Sequence, residues 1–232
     1  MKQSRIPTDL IKNSKYFIPT YINESEWDNI NLNTWFDCIY YNYNINERFN
    51  SKVCSIDIGC MNFISLYGIN GECYKIKSDY QKINKILKNE KYDSNRKNML
   101  IMNLINELHT KTAKFICNQY DIIYIGYVNN SGEINSDKMT DIYDNLLKIL
   151  HHNNFLIKLE KISKKYKKEL KIVDESFTSV TCTSCGELNK FKRMWLDDCS
   201  DRRRYICEYC NVVTCRDISA SRNILIKNEF KC

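Results

Sequence analysis

Two cysteine pairs constrain this chain more than any other feature: Cys182-Thr-Ser-Cys185 and Cys207-Glu-Tyr-Cys210, with residues 186–206 between them. Each C-x-x-C turn presents two sulfurs on one side of a tight loop. Two such turns at this separation supply the four thiolates of a tetrahedral site. Gly186, directly after the first pair, suits the strained backbone of such a turn. The competing readings are four unrelated buried thiols or a single redox-active C-x-x-C; two matched pairs favour one zinc ion. A closed set of four cysteines leaves no position open for water, so the expected zinc is structural. Cys199 and Cys215 fall outside the pairing and read as bystanders.

The other cysteines bear on compartment. Twelve cysteines in 232 residues raise the possibility of a secreted disulfide scaffold. Most, such as Cys38, Cys54 and Cys117, instead stand singly in apolar segments, as small buried residues do. The N-terminus has no apolar run suited to a signal peptide, and no later stretch suits a membrane helix. An intracellular setting with reduced thiols and no membrane partner is therefore expected. The length allows one large domain, or one domain with a small appendage. The net charge of +7 points only weakly to nucleic acid. Heavy use of lysine, asparagine, isoleucine and tyrosine has the look of an AT-rich coding sequence, which adds lysine regardless of function.

Residues 1–50 mix aromatic and polar residues without a clear period and predict a strand or two with loops. Val53, Ser55 and Asp57 then alternate with Cys54, Ile56 and Ile58, and a second apolar run at 63–67 leads to Asn70-Gly71, the pattern of a β-hairpin. From about Ser94 the spacing becomes helical, with Ile101, Leu104, Ile105, Leu108, Thr112 and Phe115 on one stripe. The run IIYIGYV predicts a buried parallel strand. A second helix follows, with Phe155, Leu159, Ile162, Tyr166 and Leu170 on one face and Lys158, Lys161, Lys164, Lys165 and Lys168 on the other. A short strand at KIVDE, the cysteine region and a closing helix, DISASRNILIKNEF, complete an α/β layered domain.

Two carboxylates carry a further signal. Asp57 stands near a strand end in the pattern D-x-G-x-x-N with Gly59 and Asn62, and Asp217 opens the last helix within Arg216-Asp217-Ile218-Ser219-Ala220-Ser221-Arg222-Asn223-Ile224. Singly, the first reads as a turn or cap residue and the second as an acid at a helix start. Together with the segment Thr178–Gly186, whose T-S-x-x-C-x-x-C-G knuckle precedes the closing R-D-x-x-x-x-R-N-I helix, they resemble the RuvC-like nuclease half of transposon-encoded TnpB proteins and their eukaryotic and viral relatives, the Fanzor proteins. The resemblance covers about residues 51–226.

It implies an RNase H-like (RuvC-type) α/β fold with an inserted four-cysteine zinc ribbon: a short N-terminal segment at 1–50, the first part of the RuvC-like domain at 51–177, the ribbon at 178–214, and the final helix and tail at 215–232. It also implies Mg²⁺ held by three acids, since two-metal cleavage needs several carboxylates around one phosphate. Asp57 and Asp217 match the first and last. The middle glutamate should end the apolar strand, where this sequence has Gly126. Asp121 and Glu133 do not occupy the matching position. Asp174 and Glu175, on the next strand, are the remaining candidates for a substitute. Ser219 replaces the family's usual asparagine. About 50 residues precede the first motif, whereas the family has a much longer N-terminal half that grips guide RNA and target DNA.

The expectation is therefore a shortened relative with a zinc-stabilised fold, binding DNA first and RNA second, and impaired in catalysis. Lys161, Lys164, Lys165 and Lys168, with Arg202, Arg203 and Arg204 of the ribbon, are the expected phosphate contacts, guanidinium groups being suited to bidentate pairing. The alternatives are an active Mg²⁺-dependent endonuclease using a substitute acid, and a zinc-stabilised protein-interaction domain.

Overall fold

A computed structural model describes residues 5–12, 18, 28–31, 37–42, 52–60, 62–127, 146, 148–189 and 204–229. Seven strands form one sheet: β1 (Asp28–Asn31), β2 (Asp37–Asn42), β3 (Val53–Ile58), β4 (Asn62–Gly68), β5 (Glu72–Lys77), β6 (Ile122–Gly126) and β7 (Glu169–Val173). Their order is β1-β2-β5-β4-β3-β6-β7. The pairs from β1 to β3 are antiparallel, and β3–β6 and β6–β7 are parallel. The hairpin predicted over 53–71 is thus a three-stranded meander. Its second turn closes on Gly71, at φ 83, with the Gly71 N–H on the Gly68 carbonyl at 2.9 Å. The strands expected within residues 1–50 are β1 and β2, which extend the antiparallel edge.

The described helices are α1 (Thr8–Lys12), α2 (Tyr80–Leu87), α3 (Ser94–Gln119), α4 (His152–Lys165) and α5 (Arg216–Glu229), and residues 146 and 148–150 are also helical. The start of α3 is set by Asp93, whose side chain accepts from the Arg96 N–H at 2.7 Å. The predicted stripe holds, with Ile101, Ile105, Leu108 and Thr112 buried and Leu104 and Phe115 partly so. The basic helix ends earlier than its periodicity suggested. Lys167 takes a left-handed φ of 56, so Leu170 belongs to β7 rather than to the helix face.

Strand alternation divides the core into two layers. Cys54, Ile56, Ile123 and Ile125 face α3 and α4, while Val53 and Tyr124 face α5 and α1. Ser219, Ala220 and Ser221 are buried and small, so they let α5 approach the sheet closely. Ser55 Oγ donates to the Ser221 carbonyl at 2.6 Å, and Ser221 Oγ donates to the Ser65 carbonyl at 2.8 Å. These bonds fix the helix over the centre of the sheet. No helix among the described residues is long and apolar enough to cross a membrane.

Candidate metal sites

The four predicted cysteines converge. Their sulfurs all lie within 4.8 Å of one another, with Cys182–Cys210 at 3.7 Å and Cys185–Cys207 at 3.6 Å. Four sulfurs about 2.3 Å from a tetrahedral ion would stand about 3.8 Å apart, so the cluster fits a metal of that kind. The two turns are built alike. The N–H of the residue after each pair donates to the carbonyl of that pair's first cysteine, Gly186 to Cys182 and Asn211 to Cys207, both at 3.0 Å. Both residues are left-handed, at φ 78 and 57. A side chain on Gly186 would also meet Thr8 Cα of α1 at 2.9 Å.

Backbone N–H groups of Ser184 and Cys185 point at Cys182 Sγ (3.4 and 3.5 Å), and that of Tyr209 points at Cys207 Sγ (3.4 Å). Asn189, which the sequence gave no reason to select, adds its side-chain amide to Cys207 Sγ at 3.6 Å and accepts from the Glu208 N–H at 2.9 Å. Burial raises the Cys182 and Cys185 thiols, whereas at Cys207 burial is outweighed by the N–H groups of Cys210 and Tyr209 and the Asn189 amide, which bring it down to about 7. Donors aimed at sulfur favour the thiolate, the form that binds a metal. Cys215 is buried on β9 (Val213–Cys215), which pairs with β8 (Arg204–Ile206), and lies outside the cluster, as expected of a bystander.

The first cysteine turn is fastened to α5. Arg222, fully buried, donates through Nη1 to the Thr183 carbonyl (2.6 Å) and hydroxyl (2.9 Å) inside the turn. Asn223 Nδ2 donates to the carbonyls of Thr178 and Thr181, each at 2.9 Å. Lys227 bridges Asp174 Oδ2 at 2.8 Å and the Ser176 carbonyl at 2.9 Å. The R-N-I segment of the closing helix is thus the attachment of the cysteine turn to the sheet.

The same helix brings a second set of groups together. Asp57, at the end of β3, Asp217, in the first turn of α5, and Glu175, just beyond β7, are close enough for their charges to couple. The Asp57 carboxyl is held well above the usual carboxylate range, first by burial and then by the negative charges of Asp217 and Glu175, with Arg216 opposing. Asn62 Nδ2 donates to Asp217 Oδ2 at 3.2 Å, so the asparagine of D-x-G-x-x-N is in contact with the second acid. Gly59 is required by close approach: a Cβ there would stand 2.7 Å from the Asn62 carbonyl oxygen.

Gly126 lies one step beyond the Ile56–Ile125 pair, beside Asp57, on the face covered by α5. The space above it is filled. A Cβ there would meet the Glu175 carboxylate, with Glu175 Cβ at 2.9 Å and Ile224 Cδ1 at 2.7 Å. Gly126 pairs with Val173, and alternation turns Glu175, two residues on, to the same face. Asp121 lies at the opposite end of β6, bound to Lys168 at 2.6 Å. Glu133 lies outside the described residues. Among the described residues only the four cysteines form a closed set of three or more metal-ligand atoms.

The basic face is less uniform than its periodicity implied. Lys158 is engaged with Asn106 and Thr110 of α3, Lys164 pairs with Glu160 at 2.6 Å, and Lys168 lies beyond the end of α4. Lys161 and Lys165 are exposed on α4. Arg202 and Arg203 lie outside the described residues; Arg204 opens β8, which is described only in its backbone path at that position.

The mixed sheet, with α5 carrying Asp217 over Asp57, defines a RuvC-like α/β protein. Its architecture is similar to that of Cas12f1 in the Cas12f1–sgRNA–target DNA complex, with a TM-score of 0.55 and 21% identity over 79% of this chain and 51% of that one. Residues 152–224 match the family described as Cas12f1-like, TNB domain. A putative transposase of Acanthamoeba polyphaga mimivirus is 29% identical over 198 residues, 75% of this chain and 39% of that protein. A TnpB-like protein of the same virus is 28% identical over 211 residues, 79% of this chain and 38% of its own length. The chain is similar to TnpB-like and transposase proteins of that virus, and part of it matches the Cas12f1-like TNB domain. It spans about two fifths of the length of these curated relatives.

Proposed function

We propose that this chain is a metal-dependent, nucleic-acid-cleaving domain in which Asp57, Glu175 and Asp217 hold Mg²⁺ or Mn²⁺ and the four cysteines hold one structural Zn²⁺. The observation that carries the reading is the carboxylate of Glu175 in the space above Gly126, coupled by charge to Asp57. Three half-buried acids repel one another, and a divalent cation would relieve that repulsion. In such a site the ions stabilise the attacking and leaving oxygens of a phosphodiester, and the carboxylates hold them in place. Full ligation of the zinc by four thiolates leaves it no catalytic position.

The Cas12f1 relative is a complex with single guide RNA and target DNA. That likeness, with the exposed lysines of α4 and the arginines at 202–204, supports DNA as the substrate class and RNA as a second partner. Phosphate contacts of this kind weaken steeply with salt. The rival reading, a binding protein without catalysis, draws on the glycine at position 126. The deciding experiment is Mg²⁺- and Mn²⁺-dependent cleavage of single- and double-stranded DNA by the zinc-loaded protein. Cleavage lost in both Asp57→Ala and Glu175→Ala is the expected result. DNA binding with no cleavage, unchanged by either substitution, would favour the binding protein.

A further inference from the structure

The D-x-G-x-x-N motif contains a group that the three-carboxylate reading does not use. Asn62 is only 3% exposed, yet its side chain belongs to the acidic centre. Its orientation follows from the backbone. The register of β4 against β5 shifts between Asn62 and Ile64, and such a bulge re-aims the side chain at its start. The Gly59 N–H closes the loop on the Phe63 carbonyl at 3.2 Å, drawing Asn62 over the end of β3.

The amide has two ends. A carboxylate only accepts hydrogen bonds, so the nitrogen must be the end that faces Asp217. The oxygen, Oδ1, is then left buried with no hydrogen-bond partner among the described residues. A buried acceptor of this kind requires a donor, and a magnesium-type centre supplies one, because Mg²⁺ retains several of its waters.

We propose that Asn62 is a positioning residue of the acidic centre. Its amide nitrogen fixes the rotation of the Asp217 carboxylate so that one oxygen faces the divalent ion. Its amide oxygen accepts a hydrogen bond from a water on that ion. This rests on the three-carboxylate reading and adds to it an outer partner of the kind that orients metal ligands.

The test is a Mn²⁺ titration of the zinc-loaded full chain, followed by electron paramagnetic resonance, with thermal unfolding measured in the absence of added divalent ion. Asn62→Ala should weaken Mn²⁺ binding about tenfold or more, and Asn62→Leu, which keeps the volume without the amide, should do the same while folding normally. Mn²⁺ affinity unchanged in the folded Asn62→Leu protein would overturn the proposal, as would a lowered unfolding temperature as the sole effect of both variants. The underlying reading fails separately: wild-type protein would then show no Mn²⁺ binding that Asp57→Asn removes.

Discussion

A glycine in place of an acid removes a metal ligand only if no other side chain reaches the same space. At Gly126 one does, because Glu175 enters from the neighbouring strand. The simple reconstruction suggested by the sequence, Gly126→Glu, therefore meets an occupied position. A new Cβ would be pressed against Ile224 and Glu175, and overpacking of this sort costs about 1–3 kcal/mol. Gly126→Glu alone is expected to lower the urea midpoint without strengthening Mg²⁺-dependent activity. The double substitution Gly126→Glu with Glu175→Gly moves the carboxylate back to β6 and should recover part of the cleavage that Glu175→Ala loses. A single Gly126→Glu protein that is stable and more active than wild type would show that Glu175 does not fill the ligand's place.

At the level of elements, α5 is the joint of the molecule. It carries Asp217 in its first turn, and Arg222, Asn223 and Lys227 fasten the segment 174–183, which holds Glu175 and enters the first cysteine turn. The cysteine cluster and the acids therefore share one support. Cys182→Ser, or removal of zinc by a chelator, should unfold the ribbon, since a segment this small has little core without its metal. The loss should also reach Glu175. Hydrogen exchange is expected to rise across 174–189, and zinc analysis should give one ion per chain in the intact protein. Protein prepared without zinc that keeps full protection in this segment would separate the two sites. Arg222→Ala, removing a fully buried side chain and its bonds to Thr183, should destabilise by about 2–4 kcal/mol even with zinc bound.

Among the described residues the sheet lies between two unlike layers, and two histidines on the α3–α4 side are expected to make the fold less stable in acid. His109 stacks on Phe63 with ring centres 5.2 Å apart, and its Nε2 lies 2.9 Å from the Leu150 carbonyl oxygen. Burial, only partly offset by that carbonyl, lowers His109 from 6.5 to about 4, and burial lowers His152 similarly. Both are neutral in the folded protein at pH values where they would be charged in the unfolded chain. The unfolded state then binds more protons, so the stabilisation is complete above about pH 6.5 and is lost as the pH falls toward 4. His109→Phe should flatten this part of the stability–pH curve measured by denaturant unfolding. An equal slope in the variant would place the acid sensitivity elsewhere.

Local chemistry and periodicity were enough to identify the four cysteines, the strand bearing Asp57, the length of α3 and the helix opening with Asp217. Each of these is written in contiguous residues. C-x-x-C turns, alternation with period two and helical stripes all act over a few positions, so a linear reading captures them. The tertiary structure alone decided what crosses the sheet. Glu175 stands over Gly126 because β7 pairs in parallel with β6 at the Gly126–Val173 register, and Asn62 meets Asp217 across 155 positions of chain. Arg222 is part of the closing-helix motif in the sequence, but only the fold shows that it is buried against Thr183 of the cysteine turn. Lys158 and Lys168 belong to a basic stripe by spacing, but neighbouring elements supply Asn106, Thr110 and Asp121 as their partners. Spacing sets which way a side chain points from its own element. What it meets there depends on how distant elements pack, and no short-range pattern in the sequence specifies that.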